Sequence, residues 1–203
     1  MRLSIPFVLS SLLLLMPATA MAAAEVGKPA PAFKAKAVDG AEVSSEALKG
    51  KIVVLEWNNP GCPFVKKHYD GNNMQKLQGY AHNKGVIWLT VNSSAAGKQG
   101  NMTTEQAKEL IASKKISSAH YILDADGTIG NLYGAKSTPH MFVIDKKGDI
   151  AYMGAIDDHA DTDQASIKDS KNYVKLAIDN LLGGKPIETA STQAYGCSVK
   201  YAD

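Results

Sequence analysis

Two thiols stand in the chain, Cys62 and Cys197. The first opens the stretch Cys62-Pro63-Phe64-Val65-Lys66-Lys67-His68. Proline is favoured at the first position of a helix, so Cys62 falls where a helix begins. Unpaired backbone N–H groups and the positive end of the helix dipole favour a thiolate there. Lys66, Lys67 and His68 add positive charge in the same sense, Lys66 most strongly if it faces the sulfur. A thiol whose ordinary pKa is about 8.5 is brought close to neutral by such surroundings. The thiolate is the attacking form, so the position suits a nucleophile. Thiol exchange commonly uses a second cysteine three residues on, but that position is Val65. The remaining partner is Cys197, near the far end of the chain. The pair is either a redox couple or a permanent staple, which in the chain-entropy model would contribute ~4–5 kcal/mol for a loop this long.

The surrounding elements are legible from hydrophobic pattern. Residues 51–57, "KIVVLEW", form a continuous apolar run with β-branched residues and predict a buried central strand running into the Cys62 turn. A helix is expected over 64–84, with a break near Gly71. "GVIWLTVN" (85–92) and "AHYILD" (119–124) predict further strands, separated by a helix through about Ser113 that Thr103 and Gln106 cap. "GTIGNLYGA" reads as a short helical turn. "HMFVID" and "DIAYMGA" flank Lys146-Lys147-Gly148 as a hairpin, and a closing amphipathic helix spans about 170–182. Residues 25–50 read as an extended lead-in with a turn or hairpin and a short helix. The tail, 186–203, shows no clear period. Strands alternating with helices, then a hairpin and a helix, indicate an α/β domain with a central mixed sheet.

A positive start (Met1-Arg2), an apolar stretch from Leu3 to Met16, and small residues at A-x-A spacing through Ala22 read as a signal peptide over residues 1–22. The run is short and broken by Ser4, Pro6, Ser10 and Ser11, which argues against a membrane anchor. Export, to the periplasm or beyond the cell, permits disulfides. It also removes Arg2, the only arginine. The folded domain is bounded at 25–185, followed by the tail, 186–203, that carries the second cysteine. A net charge of +2 gives no electrostatic case for a nucleic-acid partner.

"GKPAPAF", "IVVLEW", the cysteine at a helix start, "TPHMFVIDKKGDIAYMGAIDD" and the paired segments Cys62-Pro63-Phe64-Val65-Lys66 and Gly196-Cys197-Ser198-Val199-Lys200 resemble the thioredoxin-fold redoxins, in their peroxiredoxin-like (AhpC/TSA-related) branch. The resemblance spans roughly 25–203. It implies a thioredoxin-like fold, a cis peptide at Pro139 beside the nucleophile, and Cys62 as the attacking cysteine. Cys197 is then expected to resolve the intermediate as an intramolecular disulfide, carried by a mobile tail. Thr138, Asn59 and Lys66 are the expected substrate contacts. The partners implied are a disulfide or peroxide substrate and an external thiol reductant, a thioredoxin-like protein or a small thiol. No cofactor or metal is expected. The chain departs from peroxiredoxins proper, with Leu55 and Asn59 where they place a proline and a hydroxyl, and no arginine in the exported form. Lysine lacks the planar donor fork of arginine, so thiol–disulfide exchange is favoured over peroxide reduction. A third reading is a metal-binding or assembly factor using Cys62 and His68 as soft ligands. The acidic run 157–163 reads as a solvated loop.

Overall fold

The computed structural model describes residues 24–202, so the expected signal segment lies outside the described residues. Among the described residues no helix is long and apolar enough to cross a membrane. Strands β1 (Lys34–Lys36) and β2 (Glu42–Ser44) form an antiparallel hairpin. Strand β3 (Val53–Trp57) leads into α1 (Pro63–Asp70) and α2 (Asn73–Asn83). Next come β4 (Ile87–Asn92), α3 (Thr104–Ser113), β5 (His120–Leu123) and α4 (Thr128–Tyr133). The chain continues through β6 (Ser137–Thr138), β7 (His140–Ile144), β8 (Ile150–Gly154) and α5 (Tyr173–Leu182), and ends with β9 (Cys197–Ser198).

The central sheet has the order β5-β4-β3-β7-β8. The strands β3, β4 and β5 are parallel, and β7 is antiparallel to both β3 and β8. This is the mixed sheet that the alternation of elements predicts. Every residue of β3 is buried, because both faces of the sheet are covered. Val54 faces a core shared with α1, α2 and α5, while Val53, Leu55 and Trp57 face a second core with α4 and the hairpin. Such double burial is why β3 reads as an unbroken apolar run.

The helix expected over 64–84 breaks at Gly71, where the sequence places a break, into α1 and α2. A Cβ at Gly71 would stand 2.7 Å from the Ile167 side chain and 2.8 Å from the Lys67 carbonyl, and Asn72 takes a left-handed φ of 55°. The Thr103–Gln106 capping box forms as the sequence indicates.

The tail departs from expectation. It is not irregular: β9 pairs antiparallel with β6, placing Cys197 opposite Thr138. Beyond it, the Val199 N–H donates to the Lys136 carbonyl at 3.1 Å, and the Ala95 N–H donates to the Lys200 carbonyl at 2.8 Å. Tyr195 and Cys197 pack against the first core, and Val199 and Tyr201 against the second. Alternate residues therefore point inward, the two-residue period of a strand. Close packing against glycine seats the end of the tail, which forms a strap across the strand edge at β6, since a Cβ at Gly127 would stand 2.8 Å from the Tyr201 ring.

Candidate active site

Cys62 is the N-cap of α1, in extended conformation, with Pro63 starting the helix. The turn before it is built by Asn59. Its side-chain oxygen accepts from the Gly61 N–H at 2.8 Å, and its amide donates to the Gln99 carbonyl at 3.0 Å. Asn59, expected at the substrate, is thus buried and committed to shaping the loop. The cis peptide stands where expected, between Thr138 and Pro139. The Cys62 thiol donates to the Thr138 carbonyl at 3.0 Å, which ties the helix start to the strand carrying that peptide.

The β9–β6 pairing sets Cys197 opposite Thr138, whose carbonyl accepts from the Cys62 thiol, so the two cysteines are neighbours that act on each other's ionisation. Both thiols are free. Gly196 makes the approach possible. At a φ of +127° it lies against the Thr138–Pro139 peptide, and a Cβ there would collide with the Thr138 carbonyl group. Only glycine tolerates both the backbone angle and the contact.

Burial raises the Cys62 pKa, but hydrogen bonds from the Cys197 thiol, the Thr138 side chain and the Val65 and Cys197 backbone N–H groups outweigh it, and the net shift is downward. Cys197 moves the other way, to about 11, through burial and through the sulfur of Cys62 beside it. The pair therefore holds its negative charge on Cys62. If the Cys197 S–H supports that charge, Cys197→Ala raises the pKa of Cys62. Ultraviolet titration of the thiolate would show its onset at higher pH than in wild type, and an unchanged onset would contradict the assignment.

The three basic residues after Cys62 act differently from the sequence expectation. Lys66 is exposed and borders a groove with Pro60, Val65, Tyr69 and Leu110. Lys67 is buried; its Nζ donates to the His159 carbonyl at 2.8 Å and pairs with Asp161 at 3.0 Å. The acidic run 157–163 is accordingly the counterpart of a buried lysine. His68 is buried and its pKa falls to about 4, chiefly by desolvation, so it brings no positive charge near neutral pH. Asn73 donates to its Nδ1 at 2.8 Å, which leaves the proton on Nε2 for Tyr195 Oη at 3.2 Å, and Tyr195 in turn donates to Asp157. With both ring nitrogens engaged, His68 is not disposed as a soft metal ligand beside Cys62. The largest downward contributions at Cys62 come from hydrogen bonds, not from the lysines.

Solvent access also departs from expectation. Cys62 is 0% exposed, whereas Cys197 is partly exposed. Tyr195 and Cys197 of the tail pack against the core cluster that contains Cys62. Tyr195 is held by His68, Asp157 and the Phe64 ring, whose centroid lies 5.8 Å away. Val199 and Tyr201 hold the other side of Cys197. Sequence reasoning missed these anchors, although Tyr195-x-Cys197-x-Val199-x-Tyr201 is a period-two pattern in plain sight.

A family model described as Redoxin matches residues 25–170. No curated protein matches. Among solved structures, an uncharacterized conserved protein from Geobacillus kaustophilus is 26% identical with a TM-score of 0.75, covering 88% of this chain and 93% of that one. A hypothetical protein from Sinorhizobium meliloti is 22% identical with a TM-score of 0.74, covering 89% and 97%. A putative thiol:disulfide interchange protein DsbE from Chlorobium tepidum is 22% identical with a TM-score of 0.58, covering 79% and 100%.

Proposed function

The chain belongs to the redoxin family, and from that premise we propose that it is an exported thiol–disulfide oxidoreductase, periplasmic or secreted, working through Cys62 and Cys197. The observation that carries this reading is the pair itself: two free thiols meeting at Thr138, which pairs with Cys197 and whose carbonyl accepts from Cys62, with Cys62 at a helix start, beside a cis-proline and with a lowered pKa. The description of the Chlorobium tepidum relative agrees with it. Peroxide reduction is the weaker reading. Asn59 and His68, which could have assisted it, are occupied by the loop and by the Asn73–Tyr195 network.

In the proposed cycle β9 lifts from β6, since Cys62 is covered while the strand is docked. The Cys62 thiolate attacks one sulfur of a substrate disulfide. A Cys62–substrate bond forms, the substrate S–S bond breaks, and the other substrate sulfur leaves as a thiolate. Cys197 then loses its proton and attacks the Cys62 sulfur, releasing the second substrate thiolate and closing the Cys62–Cys197 bond. Two electrons have passed to the substrate, and an external thiol reductant restores them. Thr138 supplies backbone beside the reacting sulfurs, and Lys66 is an exposed cation on the helix that starts at Cys62.

Mass spectrometry after oxidation with a disulfide substrate tests the cycle. Wild type is expected to carry a Cys62–Cys197 link, and Cys197→Ser a trapped mixed disulfide on Cys62. A Cys62 that stays unmodified in both proteins would defeat the reading.

A further inference from the structure

Oxidation changes what the tail can do. In the dithiol form the strap is held by hydrogen bonds and packing alone, so it can lift and admit a substrate to Cys62. In the oxidised form the Cys62–Cys197 bond would join the strap covalently to the helix start it covers. Cys62 lies beneath the strap with no exposed surface, and Cys197 lies on it, partly exposed. The strand edge at Thr138, where an extended polypeptide could pair, is taken by β9. What a partner meets is the outer side of β9, with Ser198 exposed and Lys200 close enough for its charge to act on Cys197.

Building on the two-cysteine cycle proposed above, we infer that the thiol reductant resets the pair by attacking the sulfur of Cys197, with the tail strand in place, and that Cys62 is the leaving group. The reductant thiolate forms a bond to Cys197, the Cys62–Cys197 bond breaks, and its electron pair stays on Cys62. A second reductant thiol then displaces the first from Cys197, which takes up a proton, and the reductant departs as its disulfide. The two electrons come from the two reductant thiols. Both local features favour this direction. A sulfur whose thiolate is stabilised leaves faster than one whose thiolate is not, and Cys62 keeps the hydrogen bonds of the Thr138 side chain and of the Val65 and Cys197 backbone N–H groups even when the Cys197 sulfur carries the reductant and has no proton to give. The incoming nucleophile is an anion, and the positive charge of Lys200 acts on Cys197. Substrate and reductant therefore use different sulfurs: the substrate meets Cys62 when the strap is up, and the reductant meets Cys197 when the strap is locked down.

The test uses the full chain oxidised until both thiols are lost, with glutathione as the probe. Samples are quenched in acid at intervals, blocked with a maleimide and peptide-mapped. The expected first adduct is glutathione on Cys197 with the maleimide on Cys62, at least about tenfold over the reverse arrangement, a ratio equivalent to 1.4 kcal/mol between the two barriers. Lys200→Glu is expected to slow reduction by glutathione several-fold. Adduct on Cys62, an even division, or reduction with no adduct on Cys197 at any time overturns the inference, as does a Lys200→Glu protein reduced at the wild-type rate. Failure of the two thiols to pair on oxidation would instead strike at the catalytic cycle, so the two failures are distinguishable.

Discussion

Between neutral pH and about pH 4, each of two buried histidines withdraws about 3 kcal/mol of stability from the folded chain. His68 and His140 both fall from an ordinary 6.5 to about 4, chiefly because burial penalises the charged ring. The groups around His68 are Asp157 and Asp161, which favour its protonation, and Lys67, which opposes it. At His140 the charge of Lys136 adds to the burial effect. The unfolded chain protonates both rings near 6.5, while the folded chain keeps them neutral down to about 4. Between those values the unfolded state binds more protons, so stability rises with pH. It is fully present above about 6.5 and is lost as the pH falls to the folded values. Glu56, whose carboxyl burial raises, contributes in the opposite sense, so the histidine share has to be isolated by difference. His140→Phe suits this, because the ring already lies 4.5 Å from Phe142 in a buried site. Urea unfolding of wild type and variant at pH 7 and pH 4 is expected to show wild type losing about 3 kcal/mol more than the variant on acidification. Parallel losses in the two proteins would mean that His140 titrates normally in the fold.

The reach of the sequence reading follows the range of the physics. Elements governed by local pattern were legible: the apolar run of β3, the capping box at Thr103, the hairpin around Gly148, and the position of Cys62 before Pro63. What failed depended on partners distant in sequence. Lys67 and His68 looked like charges on a helix face, because nothing local reveals that Asp161, Asn73 and Tyr195 enclose them. Nothing local shows that Asn59 is buried and bonded across two loops to the Gln99 carbonyl. The tail shows no clear period in the sequence because its inward residues differ in kind: an aromatic, a thiol, a valine and another aromatic. Hydrophobicity alone dilutes that alternation, yet the period is that of a strand. Its register is set by Gly196, whose need to be glycine becomes visible only once the Thr138–Pro139 peptide lies against it.

Glu56 is hidden in the apolar run of β3, where nothing local marks it, and its replacement by an apolar residue is expected to cost the fold about 3–5 kcal/mol. The carboxylate is fully buried and accepts five hydrogen bonds. Tyr69 Oη and Asn58 Nδ2 donate to one oxygen, at 2.7 and 3.1 Å. Trp88 Nε1, Gln78 Nε2 and Thr90 Oγ1 donate to the other, at 2.9, 3.1 and 3.2 Å. One side chain thus fastens α1, α2 and β4 to the strand that delivers Cys62. Leucine at this position matches the volume roughly and suits the apolar neighbourhood, but it leaves several buried donors with no acceptor. Breaking such a site by removing one partner costs about 3–5 kcal/mol, because the stranded groups keep their desolvation penalty. Glu56→Gln retains an acceptor oxygen and the shape, so it is expected to lose only part of that amount. Urea unfolding would place the order as wild type, Gln, Leu. A Glu56→Leu protein as stable as wild type would show that the donors find other partners, and that the helix carrying the reactive cysteine is held by apolar packing alone.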